Sequence, residues 1–154
     1  MIHVIFVCLG NICRSPMAEG VFAHLVAEAG LGEVVAVDSA GTAGYHTGER
    51  PHRGTQQVLR EHGVVYNGRA RQVSQADMNP AHWVVAMDGE NTADLRRQFG
   101  EHPRLHRLLD FATQHRHVQN VPDPYYTGNF EYVYELVLDG CQGLLAHIRQ
   151  AEGV

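Results

Sequence analysis

Cys8, Asn11, Cys13 and Arg14 crowd into the stretch VCLGNICRSP, residues 7–16. Two thiols and a guanidinium this close can ligate a metal, form a disulfide, pack as ordinary loop residues or cradle an anion. A zinc site needs about four ligands, and the spacing of Cys8 and Cys13 resembles no common zinc pair. The anion reading has a direct physical basis. Arginine stays charged and presents a planar fork that fits two phosphoryl oxygens. A cysteine beside a positive group and a helix N-terminus is favoured as the nucleophilic thiolate. A thiolate beneath a phosphoryl group is set for in-line attack. Gly10 and Asn11 tolerate the backbone angles of a loop curled around an anion. The loop is not a Walker A loop, because G-x4-G-K-[S/T] is absent. Seen alone, Cys8 is as readily a buried structural cysteine. Arg14, six residues on and followed by Ser15, reverses that balance.

Such a loop needs a strand before it and a helix after it. IHVIFV (2–7) is continuously apolar and β-branched, as in a strand buried on both faces. SPMAEGVFAHLVAEAG (15–30) repeats apolar residues every three to four positions and predicts a helix, with Ser15 and Pro16 in its first turn and Gly30 at its end. Further strands are predicted at 34–41, 82–88 and 104–112, and helices at 53–63, 89–100 and 130–150, the last containing Gly140 and Gly143. Alternating strands and helices predict a three-layer α/β domain spanning 1–154, with a roughly four-stranded parallel sheet and helices on both faces. Ligands bind such sheets beyond the carboxyl ends of the strands, where CLGNICRS lies.

The chain has 154 residues, 44% of them hydrophobic, and a net charge of −5. That balance argues against nucleic acid as a partner, and no apolar run approaches a membrane span. The start, MIHVIFVCLG, lacks the basic region of a signal peptide, so the expected compartment is the cytoplasm. Thiols stay reduced there, which leaves three cysteines free, catalytic or redox-active. The eleven histidines are scattered; only HRH at 115–117 makes a close pair, and surface solvation is its expected role.

Expelling an alkoxide or phenolate needs a proton donor on another loop. VPDPYYTGNF (121–130) offers Asp123 between two prolines, which stiffen its backbone. An Asp-Pro step is also an ordinary turn.

VCLGNICRSPMAEGVF strongly resembles the signature C-x5-R-[S/T] of low-molecular-weight protein tyrosine phosphatases. DSAGT (38–42), ARQV with MDGEN (70–73, 87–91) and DPYY (123–126) match the same family in order, so the resemblance covers nearly the whole chain. It implies hydrolysis of phosphotyrosine proteins and small aryl phosphates, with no cofactor and no metal. Cys8 would be the nucleophile, Arg14 the clamp and Asp123 the general acid and base. Leu9, Gly10, Asn11, Ile12, Cys13 and Arg14 would wrap the phosphate or another oxyanion. Asn11, Ser15, Ser39 and Asp88 would support the loop; Ser15 either donates to the thiolate or caps the helix. Tyr45, Tyr125 and Tyr126, with Ile12, would wall a slot deep enough for phosphotyrosine.

Cys13 is a redox candidate: it could trap an oxidised Cys8 as a reversible disulfide, or simply pack in the loop. The resemblance has two gaps, of which the first is that GERPHRG (48–54) lacks the family's usual Asp-Pro-Arg. The family also commonly places a supporting histidine where this chain has Gly68, in YNGRARQ, so the buttress is missing or replaced. Three rival readings remain on these residues. An arsenate reductase would need two further nearby cysteines, and only Cys141 lies beyond the loop. Relatives resembling protein-arginine phosphatases usually carry threonine where Ile12 stands. A phospho-ligand-binding module would have lost the nucleophile, the arginine or the acid.

Overall fold

The computed structural model describes residues 1–154. Strand β1 (Ile2–Cys8) is buried at every position but His3. It pairs in parallel with β2 (Val35–Gly41) on one side and β3 (Trp83–Ala86) on the other. β3 pairs with β4 (Leu105–Arg107), giving the order β2-β1-β3-β4, all parallel. The alternation along β1 sorts its side chains. Val4, Phe6 and Cys8 join the larger core with α1 (Arg14–Glu28) and α6 (Phe130–Glu152). Ile5 and Val7 join a smaller core on the opposite face, with Leu95 of α4 (Gly89–Phe99). Helices therefore cover both faces, and β1 is the central strand whose end must carry the loop. The ring of Phe6 meets that of Phe22 edge-on at 5.5 Å, tying β1 to α1 immediately behind the loop. α2 (Arg53–Glu61) packs beside α1 and α6.

Two short helices lie outside the expected pattern, α3 (Gln75–Met78) and α5 (Pro124–Thr127). The expected strand at 104–112 is corrected: only Leu105–Arg107 is strand, and Leu108–Phe111 turns into a 3-10 helix. Asp110 accepts the Arg107 N–H at 3.1 Å and closes that turn, and Leu108 and Leu109 are buried against the larger core. The two glycines of α6 explain the arrangement. A Cβ on Gly140 would stand 2.6 Å from Leu108 Cγ, and one on Gly143 1.7 Å from the Phe111 carbonyl oxygen. They cost helix propensity but let the 3-10 turn lie directly on the helix. Asp139, one residue before Gly140, pins the segment that follows: it accepts the N–H groups of Thr113, Gln114 and His115 at 2.8–3.2 Å. No helix is long and apolar enough to cross a membrane.

Candidate active site

The loop after β1 is shaped by what its carbonyls do. Cys8 O accepts from Thr42 N at 2.9 Å, Leu9 O from Ala43 N at 3.0 Å and Ile12 O from His52 N at 2.8 Å. Cys13 O accepts from the Thr55 hydroxyl at 3.0 Å. The N–H groups of residues 9–13 donate to no backbone acceptor. With its acceptors engaged elsewhere, the loop keeps its donors for an anion, at the N-terminus of α1. Asn11 takes φ +58°, a left-handed conformation that asparagine tolerates better than most residues. The close approach of β2 requires Gly41, where a Cβ would stand 2.7 Å from the Leu9 carbonyl oxygen.

A cavity of about 250 Å³ opens over this loop. Cys8, Leu9, Gly10, Ile12, Cys13, Arg14, Asp123, Tyr45, Tyr125 and Tyr126, all singled out in the sequence, line it together with His46, which was not. Tyr45 and Tyr126 are largely exposed at the rim, whereas the Tyr125 ring sits beside His46 and His52 at 6.2 and 6.1 Å. The only advance signal for His46 was its place next to Tyr45.

Arg14 is 3% exposed and aimed from behind. Its Nη1 donates to Asp88 Oδ2 at 2.5 Å and to the Val121 carbonyl at 2.9 Å, and its Nη2 lies 3.5 Å from Asp123 Oδ2. Asp88 is itself fixed, because its other oxygen caps α4 through the Asn91 N–H at 2.8 Å. Val121 is fixed by donating its N–H to the Met87 carbonyl at the end of β3. Burial opposes the charge on Arg14, but Cys8, Asp88 and Asp123 together raise its pKa, so it stays a cation. Asp123 caps α5, accepting the Tyr125 N–H at 3.1 Å.

Ser15 lies in the first turn of α1 and makes no cap. Its hydroxyl oxygen stands 3.0 Å from Cys8 Sγ, the contact that a thiolate-facing Ser15 requires. Asn11 points away from the cavity; its amide donates to Ser15 Oγ at 2.7 Å and to Ser39 Oγ at 3.0 Å. Cys13 is buried, and burial, with Asp123 and Cys8 adding to it, pushes its thiol up to about 12. Cys141 is wholly buried in α6, and burial raises its thiol too. His115, half of the HRH pair, is held by its ring to Asp139 Oδ2 at 3.0 Å.

Comparison with known proteins agrees with this architecture. Over 153 residues the chain is 50% identical to the low molecular weight protein-tyrosine-phosphatase YfkJ of Bacillus subtilis, covering 97% of each chain. The YfkJ crystal structure superposes with a TM-score of 0.94 at 49% identity, over 98% of this chain and 96% of that one. A protein tyrosine phosphatase from Entamoeba histolytica, solved with Hepes in its active site, gives 0.89 at 33% identity and 99% of both chains. The Drosophila arginine phosphatase DARP gives 0.87 at 32% identity, over 95% of this chain and 97% of its own. The sequence model of the low molecular weight phosphotyrosine protein phosphatases matches residues 3–153, and the chain belongs to that family.

Proposed function

We propose that the protein hydrolyses phosphotyrosine in proteins, and small aryl phosphates, through a thiophosphate on Cys8. The observation that carries this reading is the convergence of Cys8, Arg14 and Asp123 on one cavity rimmed by tyrosines. In the first step the Cys8 thiolate forms an S–P bond as the bond to the tyrosyl oxygen breaks, and Asp123 gives its proton to that oxygen. Arg14 and the free N–H groups of the loop hold the three equatorial oxygens, where charge spreads in the transition state. In the second step the Asp123 carboxylate takes a proton from water, the water oxygen bonds phosphorus, and the S–P bond breaks. Phosphate and the Cys8 thiolate are released. The charge stabilisation comes from Arg14 and the loop, so the chemistry calls for no metal or cofactor.

Ile12 lies in the cavity wall where relatives resembling protein-arginine phosphatases usually carry threonine, which supports an aryl over a guanidino phosphate. An arsenate reductase relay is disfavoured because Cys141 is wholly buried in the core. The three thiols, none of them in a disulfide, suit work in the cytoplasm. The test is hydrolysis of p-nitrophenyl phosphate and of phosphotyrosine, phosphoserine and phosphoarginine peptides, with and without chelator. Cys8→Ser should abolish turnover but still bind inorganic phosphate, and Asp123→Ala should slow poor leaving groups most. Preference for phosphoarginine, or loss of activity in chelator, overturns the reading.

A further inference from the structure

Behind the loop runs a chain of hydrogen bonds whose far end the recognised motifs do not include. Asn11 spends both amide hydrogens, one on Ser15 Oγ and one on Ser39 Oγ, while its Oδ1 accepts the Arg71 N–H at 3.1 Å. Ser39 Oγ already accepts from Asn11, so its own hydrogen must go elsewhere, and it goes to Glu19 Oε1 at 2.6 Å. The same Glu19 oxygen accepts the Tyr66 hydroxyl at 2.7 Å. The chain therefore has a direction: the Glu19 carboxylate orients Ser39, Ser39 orients Asn11, and Asn11 leaves the Ser15 hydrogen free to point at Cys8 Sγ.

Tyr66 is built into place. Its Cβ packs on α1 where Gly20 leaves room, 3.4 Å from where a Cβ would stand. Its ring end fills the space that any side chain at position 68 would enter, since a Cβ there would lie 2.1 Å from the hydroxyl oxygen and 2.4 Å from Cζ. Gly68 is thus not a lost support but the condition for a different one.

We propose that Tyr66, acting through Glu19 and Ser39, is the positioning residue that holds Asn11 in its left-handed conformation and so sets the anion loop for Cys8. This rests on the reading of Cys8 as nucleophile. Glu19 accepts both hydroxyls on one oxygen, Oε1, and its carboxylate form is the stronger acceptor. Burial raises its pKa, and the bonds from Ser39 and Tyr66 pull it partly back. The other charged groups facing it are Asp38 of β2, which raises it, and Arg71, which lowers it; neither changes when Tyr66 does.

The test is Tyr66→Phe, which keeps the ring and removes the hydroxyl. With p-nitrophenyl phosphate, kcat should fall roughly tenfold, the factor for one hydrogen bond to a charged group, while KM moves less than about twofold. Glu19 loses a donor that favours its charged form, so the acidic limb of kcat should shift to higher pH. Exchange of the Arg71 amide hydrogen, which reads the grip on Asn11 without any turnover, should become about tenfold faster. Native kcat, a uniform loss with the limb in place, or unchanged Arg71 exchange overturns the proposal. Should the unmodified chain hydrolyse no aryl phosphate, the phosphatase reading falls, and Arg71 exchange alone judges the positioning role.

Discussion

Asp88→Asn separates the two jobs of one carboxylate. Oδ1 caps α4 and Oδ2 faces Arg14 Nη1. Asparagine is as good a cap as aspartate, so that half of the role survives. The other half inverts, because with the carbonyl kept for the cap, the amide NH2 faces a guanidinium that can only donate. Arg14 is 3% exposed and the Asp88 side chain 18%, so water compensates little. Losing a charge-assisted hydrogen bond in such a setting costs about 2 kcal/mol. If that energy serves to aim Arg14 at the transition state, kcat/KM for p-nitrophenyl phosphate should fall about 30-fold. Removing a negative charge also leaves Arg14 freer to pair with an anion. Inhibition by inorganic phosphate should therefore weaken far less than kcat/KM falls, by under about threefold. Steady-state kinetics with phosphate as competitive inhibitor measures both. Native kcat/KM in Asp88→Asn refutes the aiming role, and an equal loss in phosphate affinity would mean that Asp88 supports ground-state binding instead.

Gly143→Ala gains about 1 kcal/mol of helix propensity but drives a Cβ to 1.7 Å from the Phe111 carbonyl oxygen, an overpacking of about 3 kcal/mol, so urea unfolding should show net destabilisation. A more stable variant would mean that the 3-10 turn yields freely. Burial raises the Asp139 pKa, but the N–H of Thr113, the ring of His115 and the N–H groups of His115 and Gln114 outweigh it and leave the value lowered. A lowered folded-state value adds stability above the unfolded pKa that is lost as pH falls through the folded one. Asp139→Asn should cost about 2 kcal/mol at neutral pH, with the gap to the parent closing in strong acid; a gap constant with pH contradicts this. Cys13→Ala should make peroxide inactivation less reversible by added thiol, and unchanged recovery removes the protective role of Cys13.

The loop that carries Cys8 and Arg14 was legible because its signal is local. An apolar run, a short loop with Cys8 and Arg14, and a helical period follow one another in the chain, and the structure folds them in that order. Asp123 was legible through its prolines and its neighbours Tyr125 and Tyr126. The end of the fourth strand was not, because an apolar LLDF suits a strand and a buried 3-10 turn alike. What decides is contact with α6, whose Gly140 and Gly143 looked like weak points of a helix rather than seats for a neighbour. The support behind Asn11 was equally hidden. Glu19 and Tyr66 lie 47 positions apart, are half-buried and polar, and leave no periodic trace. Gly68 registered only as a missing histidine, because a residue that works by making room gives no positive sign.

With the loop carbonyls already bound to residues 42, 43, 52 and 55, the folded chain has met the conformational entropy of the cradle before any ligand arrives. A small tetrahedral oxyanion then needs only to shed water and enter. Such a receptor discriminates poorly among phosphate, sulfate, vanadate and arsenate, which share size and shape. On the proposed reading, selectivity among substrates accordingly falls to the rim of Tyr45, His46, Tyr125 and Tyr126. An inhibitor that reaches only the loop should then be generic, and any selectivity has to come from contacts with the rim.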